Sequence, residues 1–312
     1  MCIRDRPTLT FASAAKAVAA AMPAAERASV VRIAFLMEIV DTQGQAEALA
    51  VSPLIVREPL QDYLDSEGIG AGPLGAERIG EGHSNITYRI DRGGESVVLR
   101  RPPRPPLPPS AHDVLREARL LSALEGAHAR TPRVLAACND EEVLGVPFYV
   151  MEYVEGTVVT SAMPPALDSP EERRRACEEL VDGLVEVHAV DWRAAGLEGF
   201  AKPTGYLERQ LRRFNGLWEH NKTRELPIVA QVADWLASNL PESPAATIVH
   251  GDYRLGNVMA GPDSPGRVVA VFDWELATIS SREGKPGSRV TADSLLNIVS
   301  AGSSRPTHVT VR

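Results

Sequence analysis

The sequence predicts an α+β chain. Three observations carry that expectation. The stretch from Arg78 to Val154 reads strand, strand, helix, strand, strand. Beyond Gly156 the pattern turns helical and returns to short strands near its end. A chain of 312 residues is long enough for two lobes or for one large domain. The texture divides the chain into a helical extension (1–53), a strand-rich stretch (54–151), a helix-rich stretch (152–279) and a low-complexity tail (280–312).

Each element has its own warrant. Residues 12–50 are Ala-rich and helix-prone, with no cluster of reactive side chains. Leu54 to Glu67 reads as a short helix, stopped by Gly68, Gly70, Gly72 and Pro73. Ile86, Tyr88 and Ile90 alternate along one strand, and Glu95 to Arg100 returns as a second after the Gly93-Gly94 turn. Pro102 to Pro109 excludes helix and central strand. It reads as a stiff connector, or as a ligand for a proline-binding module. Ser110-Ala-His-Asp113 resembles a capping box, and Val114, Ala118, Leu121 and Leu124 then share a helix face. Thr131–Cys138 and Val146–Val154 read as strands.

Ser169-Pro170 pairs an N-cap with proline at the first helical position. Ala176, Leu180, Leu184 and Val187 stripe that helix. Leu207, Leu211, Phe214 and Trp218 mark another, and Ile228, Val232, Trp235 and Leu236 a third. Strands return at Thr247–His250, Asn257–Ala260 and Arg267–Phe272.

Composition sets the outer bounds. Lys and Arg number 33 against 41 Asp and Glu, a net charge of −8, which is a poor field for nucleic acid. Three cysteines, none in a C-x-x-C pair, point to a reducing, cytoplasmic setting. The most apolar window, Ala28 to Val40, is interrupted by Arg32 and Glu38, so no membrane span is expected. The Ala-rich start faintly suggests a transit peptide, while Asp5 and the weak apolar run argue against a secretory signal. Neither a partner chain nor an oligomeric state is legible.

The chemistry gathers in His250-Gly-Asp-Tyr-Arg-Leu-Gly-Asn257 and Phe272-Asp-Trp-Glu275. Gly261-Pro-Asp-Ser-Pro-Gly266 joins the two flanking strands as a hairpin. A hairpin sets the start of its first strand beside the end of its second, so Asn257 and Asp273 meet at one edge. Asp252 lies in the loop leading into that edge. Two carboxylates and a carboxamide form an oxygen-rich site of the kind Mg2+ takes, often together with phosphates. One carboxylate is then free to orient or deprotonate a hydroxyl, the parts that phosphoryl transfer needs.

The pattern His-x-Asp-x-x-x-x-Asn, with a later Asp at the end of the hairpin, resembles a kinase catalytic loop and its metal-binding Asp. Gly251, Tyr253 and Phe-Asp-Trp-Glu point away from protein kinases and towards the aminoglycoside phosphotransferase/choline kinase group. Within that group, Ile79–Tyr88, Val98–Pro103 and His250–Met259 most resemble the kinase-like domain fused to some acyl-CoA dehydrogenases. The resemblance runs from about Leu54 to Ile279 and implies a two-lobed protein-kinase-like fold, with an ATP-binding lobe over 54–151 and a catalytic lobe over 152–279.

It also implies roles. Asp252 would be the catalytic base, and Asn257 and Asp273 the Mg2+ ligands. Gly80, Gly82, His83, Ser84 and Asn85 would turn over the ATP phosphates through backbone N–H groups. Arg100 stands where kinases usually place a phosphate-binding Lys; it can grip phosphate, though not equivalently. Glu117 would be its ion-pair partner, and Met151 to Tyr153 the hinge that meets adenine. His250 would brace the loop by hydrogen bonding, and Cys177 would be a small helix residue.

The family pattern continues past Ile279 into a Gly-Asp-Pro segment and further helices. Here Ser280 to Arg289 is polar and rich in breakers, so the C-terminal lobe is expected to be incomplete. Two functions follow. One is an ATP- and Mg2+-dependent kinase of a small hydroxylated molecule, with hydroxyacyl-CoA-type acceptors ahead of aminoglycosides. The other is a truncated kinase-like protein that binds nucleotide with little turnover. A metal-dependent hydrolase would use the same acids but lacks His ligands and does not explain the Gly-rich hairpin.

Overall fold

The computed structural model describes residues 38–49, 51–80, 84–107, 112–160, 162–240 and 245–281. The expected extension up to residue 37, the cap at Ser110 and the tail beyond 281 lie outside them. The chain divides into two compact units, one of residues 1–115 and 134–153, the other of 116–133 and 154–312.

The first unit begins with β1 (Ile39–Val40), the short helix α1 (Gln43–Glu47), β2 (Ile55–Val56) and α2 (Arg57–Ser66). The helix expected from Leu54 thus starts three residues later, because Ile55 and Val56 pair with β1 in parallel. Next come β3 (Gly75–Ile79), β4 (Ile86–Arg92) and β5 (Glu95–Arg101). Helix α3 (Val114–Gly126) starts in this unit and continues into the other. Strand β6 (Val134–Cys138), α4 (Glu141–Leu144) and β7 (Phe148–Glu152) complete it.

The sheet is antiparallel in the order β3-β4-β5-β7-β6. Tyr88 faces Leu99 across β4 and β5, and Val98 faces Met151 across β5 and β7. Strict alternation in β4 buries Ile86, Tyr88, Ile90 and Arg92. Leu60 and Leu64 of α2 join Leu99, Phe148 and Val150 in the core. Arg92 is the polar exception. Its guanidinium reaches Asp65 Oδ1 at 2.5 Å, Ile69 O at 3.0 Å and Gly72 O at 3.2 Å, which ties the turn after α2 to the sheet. A buried cation is tolerable only with its donors so satisfied.

The second unit holds β8 (Thr157–Val158), α5 (Pro170–Ala189), α6 (Tyr206–Asn221) and α7 (Pro227–Ser238). Strands β9 (Ala246–Val249), β10 (Val258–Ala260), β11 (Val268–Val271) and β12 (Thr278–Ser281) follow. Ser169 caps α5 by accepting from Glu172 N at 3.2 Å, with Pro170 in the first turn, as the sequence predicts. The buried face of α5 is Cys177, Leu180, Gly183 and Val187. Arg130 binds this helix to the sheet: it donates to Glu186 and Glu179 on α5 and to Val268 O on β11.

Two expectations change here. The stripes on α6 and α7 do not enter a core. Neither helix buries a residue; Phe214, Ile228, Trp235 and Leu236 are exposed, and the helices pack on each other. The apolar period found both helices and the more covered face of α6, where Leu207, Leu211 and Trp218 are half-buried, but not that of α7, which half-buries Val229 and Ala233 instead. In addition, Ser280 and Ser281, read as the start of the tail, belong to β12, where Ile279 opposite Ile248 is fully buried. No helix among the described residues is long and apolar enough to cross a membrane.

Candidate active site

The site is built on the β10/β11 hairpin of the second unit. Val258 opposes Val271, and Phe272 N–H donates to Asn257 O at 2.8 Å. Asn257 and Asp273 therefore flank the same edge, as the hairpin reading required. The loop between the strands closes through Arg267 N–H to Ser264 O at 2.8 Å.

The loop before β10 carries Asp252. Asn257 Nδ2 donates to Asp252 Oδ2 at 2.9 Å and to Asp252 O at 2.8 Å. Arg254 Nε reaches the same Oδ2 at 3.1 Å. The carboxylate is thus held through one oxygen, while Oδ1 makes no hydrogen bond among the described residues. Its side chain is 42% exposed, so the free oxygen is open to a reactant.

His250 braces this loop from beneath. Its Nδ1 accepts from Asp252 N–H at 3.2 Å, which places the ring proton on Nε2, and Nε2 donates to Phe272 O at 2.8 Å. Burial holds its pKa below the ordinary imidazole value, so the ring is neutral near pH 7. It packs against Trp274, with ring centroids 4.4 Å apart, and edge-on to Tyr253 at 5.7 Å. Tyr253 OH donates to Leu180 O at 2.8 Å, and burial raises its pKa, so this phenol anchors the loop to α5 rather than serving as an acid.

Glycine is required once in the loop. Gly251 sits at φ 90°, and a Cβ there would stand 2.7 Å from Leu276 O and 2.9 Å from Leu276 Cβ. Gly251→Ala is expected to cost about 2 kcal/mol through strain and displacement of that contact. Thermal denaturation checks it: an unchanged melting temperature would mean the loop moves freely.

Asp273 adopts the left-handed conformation (φ 63°, ψ 60°) that short polar side chains tolerate. The turn behind it is gripped by α3. Glu117, only 2% exposed, accepts from Trp274 N–H at 3.1 Å, and Arg116 Nη2 donates to Ala277 O at 2.6 Å. The sequence pattern pointed to Glu117, as the partner of Arg100, but not to Arg116 or Arg254. The charged pair Arg116-Glu117 at the start of α3 was the only available signal.

The remaining candidates lie in the first unit. Gly80 ends β3 at φ 78° with open space where a Cβ would be. Gly82 and His83 lie outside the described residues. Ser84 and the buried Asn85 lead into β4. Arg100 is half-buried on β5, while its neighbour Arg101 points to the opposite face. Arg101 is buried there and donates to Leu54 O and Pro102 O. Met151 is buried in β7, and the Tyr153 ring lies under the Arg89 guanidinium at 4.9 Å.

Among the described residues no three His, Cys, Asp or Glu side chains gather as a metal cage. A cation here would depend on an amide oxygen, a carboxylate and oxygens that come with a ligand, which is a donor set for Mg2+ and not for zinc.

Comparison with known proteins bears on family and fold. The model of the phosphotransferase enzyme family, APH, matches residues 75–282. Acyl-CoA dehydrogenase family member 11 of Gallus gallus is 36% identical over 209 residues, which is 67% of this chain and 26% of that protein. The chain thus spans about a quarter of the length of this curated relative. A crystal structure from Ralstonia eutropha, described provisionally as an aminoglycoside phosphotransferase, is 35% identical with a TM-score of 0.63, covering 72% of this chain and 66% of that one. The GDP complex of an aminoglycoside 2'-phosphotransferase-IIIa mutant has a TM-score of 0.54 at 17% identity, over 71% of this chain and 72% of that one; at that identity the likeness speaks for fold alone. The two-unit α+β fold is therefore that of the kinase-like aminoglycoside phosphotransferases, and the chain belongs to the phosphotransferase enzyme family.

Proposed function

We propose that the chain is an ATP- and Mg2+-dependent phosphotransferase acting on a hydroxyl of a small molecule in the cytoplasm. The observation that carries this reading is the way Asp252 is held. Two donors converge on Oδ2 and leave Oδ1 open, beside the edge that bears Asn257 and Asp273. A carboxylate oriented in this way is placed to accept the proton of an acceptor hydroxyl.

Asn257 and Asp273 would hold Mg2+. The fit is chemical: the Asn257 amide nitrogen is committed to Asp252, which leaves its oxygen as the donor a hard cation takes. The ion supplies charge neutralisation for the transferred phosphoryl group. Residues 54–151 would form the nucleotide-binding lobe and 152–279 the catalytic lobe. Gly80, Gly82, His83, Ser84 and Asn85 would cover the phosphates, Arg100 would bind them with Glu117 as counter-charge, and Met151 and Tyr153 would meet adenine. The relative named as an acyl-CoA dehydrogenase supports a hydroxyacyl-CoA-type acceptor ahead of an aminoglycoside.

Thermal denaturation with ATP and Mg2+ tests the nucleotide. At hundredfold excess over Kd, stabilisation of about 2.7 kcal/mol is expected. No shift at millimolar nucleotide overturns the proposal. A transfer assay over hydroxyacyl thioesters, aminoglycosides and choline tests the acceptor. Binding with no transfer to any of them would favour a nucleotide-binding protein without turnover.

A further inference from the structure

We propose that His112 is a positioning residue for the phosphate-covering loop, holding Ser84 and Asn85 in place from the start of α3. The inference rests on the nucleotide reading above and assigns the loop a support that the sequence patterns did not show. His112 stands in the stretch read as a helix cap, and its own role there was unassigned.

Three facts converge. His112 Nδ1 lies 3.1 Å from Ser84 Oγ and 3.2 Å from Asn85 Oδ1. An amide oxygen only accepts, so Nδ1 carries the proton and donates to both. The residue also sits at φ 61°, a left-handed conformation uncommon outside Gly, Asn, Asp and His. That conformation is built in, since His112 O accepts from Val114 N–H at 2.9 Å as α3 opens. Finally, Asn85 is only 5% exposed, so its amide oxygen needs a donor within the protein.

The physical consequence is preorganisation. The two residues that bracket the turn on its β4 side are tied to a helix start 27 positions away from Asn85. With Ser84 and Asn85 held in place, less conformational freedom is lost at these two residues when an anion binds beside them. His112 acts through Ser84 and Asn85, so its removal should weaken nucleotide binding more than it slows transfer.

The test compares His112→Ala, His112→Asn and His112→Gly in the full chain. Asn keeps an amide N–H near the position of Nδ1 and tolerates φ 61°. Gly keeps the backbone freedom without the donor, and so provides a second donor-free variant if Ala misfolds. Titration with ATP and Mg2+ is expected to give a Kd about five- to twentyfold weaker for Ala and Gly, the scale of one or two lost hydrogen bonds. Asn should stay within about threefold of the parent. In turnover, KM for ATP should rise by the same factor while kcat and the acceptor KM change by less than about threefold. Equal Kd values in all variants overturn the inference and leave the nucleotide reading standing. Equal weakening by Ala, Gly and Asn overturns the donor role. Absence of nucleotide binding by the unmodified chain overturns both, and is seen without any variant.

Discussion

Asp252→Ala is expected to lower kcat by about a thousandfold or more while nucleotide binding changes little. A positioned general base contributes roughly 10²–10⁴ in rate, and no second carboxylate on the loop can replace it. Asp273 and Glu275 follow the second strand of the hairpin, and Asp273 is committed by the proposal to the cation. Binding should survive because the loop keeps its other supports. His250 still accepts from the backbone N–H of residue 252, and Asn257 Nδ2 still donates to the backbone carbonyl of that residue. Asp252→Asn sharpens the test, because it preserves shape and removes the basic oxygen. Steady-state kcat and the ATP-induced thermal shift are the two measurements. Turnover equal to the parent in either variant would remove Asp252 from the role of base. Loss of the thermal shift together with turnover would make it a ligand-binding residue instead.

The largest effect on stability is expected at Trp274. The side chain is fully buried, its Nε1–H donates to Val271 O at 2.9 Å, and its ring packs on His250. Truncating a buried Trp to Ala costs about 3–5 kcal/mol, against a total that is typically about 5–15 kcal/mol. Trp274→Ala should therefore leave the second unit largely unfolded or loosely packed near physiological temperature. Trp274→Phe separates the causes. It retains most of the ring and loses the N–H donor, so the cost should fall to about 1–3 kcal/mol, the penalty of a buried unpaired carbonyl. Amide hydrogen exchange in β9, β11 and β12 reports this unit alone, which matters because the two units need not unfold together. Protection equal to the parent in Trp274→Ala would show that the indole is not what holds the turn bearing Asp273.

Much of the site was legible in the linear pattern because its spacing is local. His250, Asp252 and Asn257 lie in one loop, and the breaker-rich turn between two apolar runs forces Asn257 and Asp273 to one edge. The alternation in β4 and the Ser169-Pro170 start of α5 were readable for the same reason: each depends on neighbours within one element. The face of α7 was not readable. Apolar residues at helical spacing show that a helix forms, but which side is covered depends on what the rest of the chain brings to it, and here α6 and α7 chiefly cover each other.

The division has a physical basis. Residue types and their short-range spacing specify the elements, the turn and the set of oxygen donors, because backbone geometry repeats over two to four residues. The partners that aim those donors come from remote parts of the chain. Glu117 receives the N–H of a residue 157 positions later, and Arg116 meets a carbonyl 161 positions away. His112 reaches back to the turn before β4, and Tyr253 ties the catalytic loop to α5. Such pairings leave no period in the sequence. They arise when burial forces each polar group to find a partner, and that requirement is met only once each unit has packed within itself.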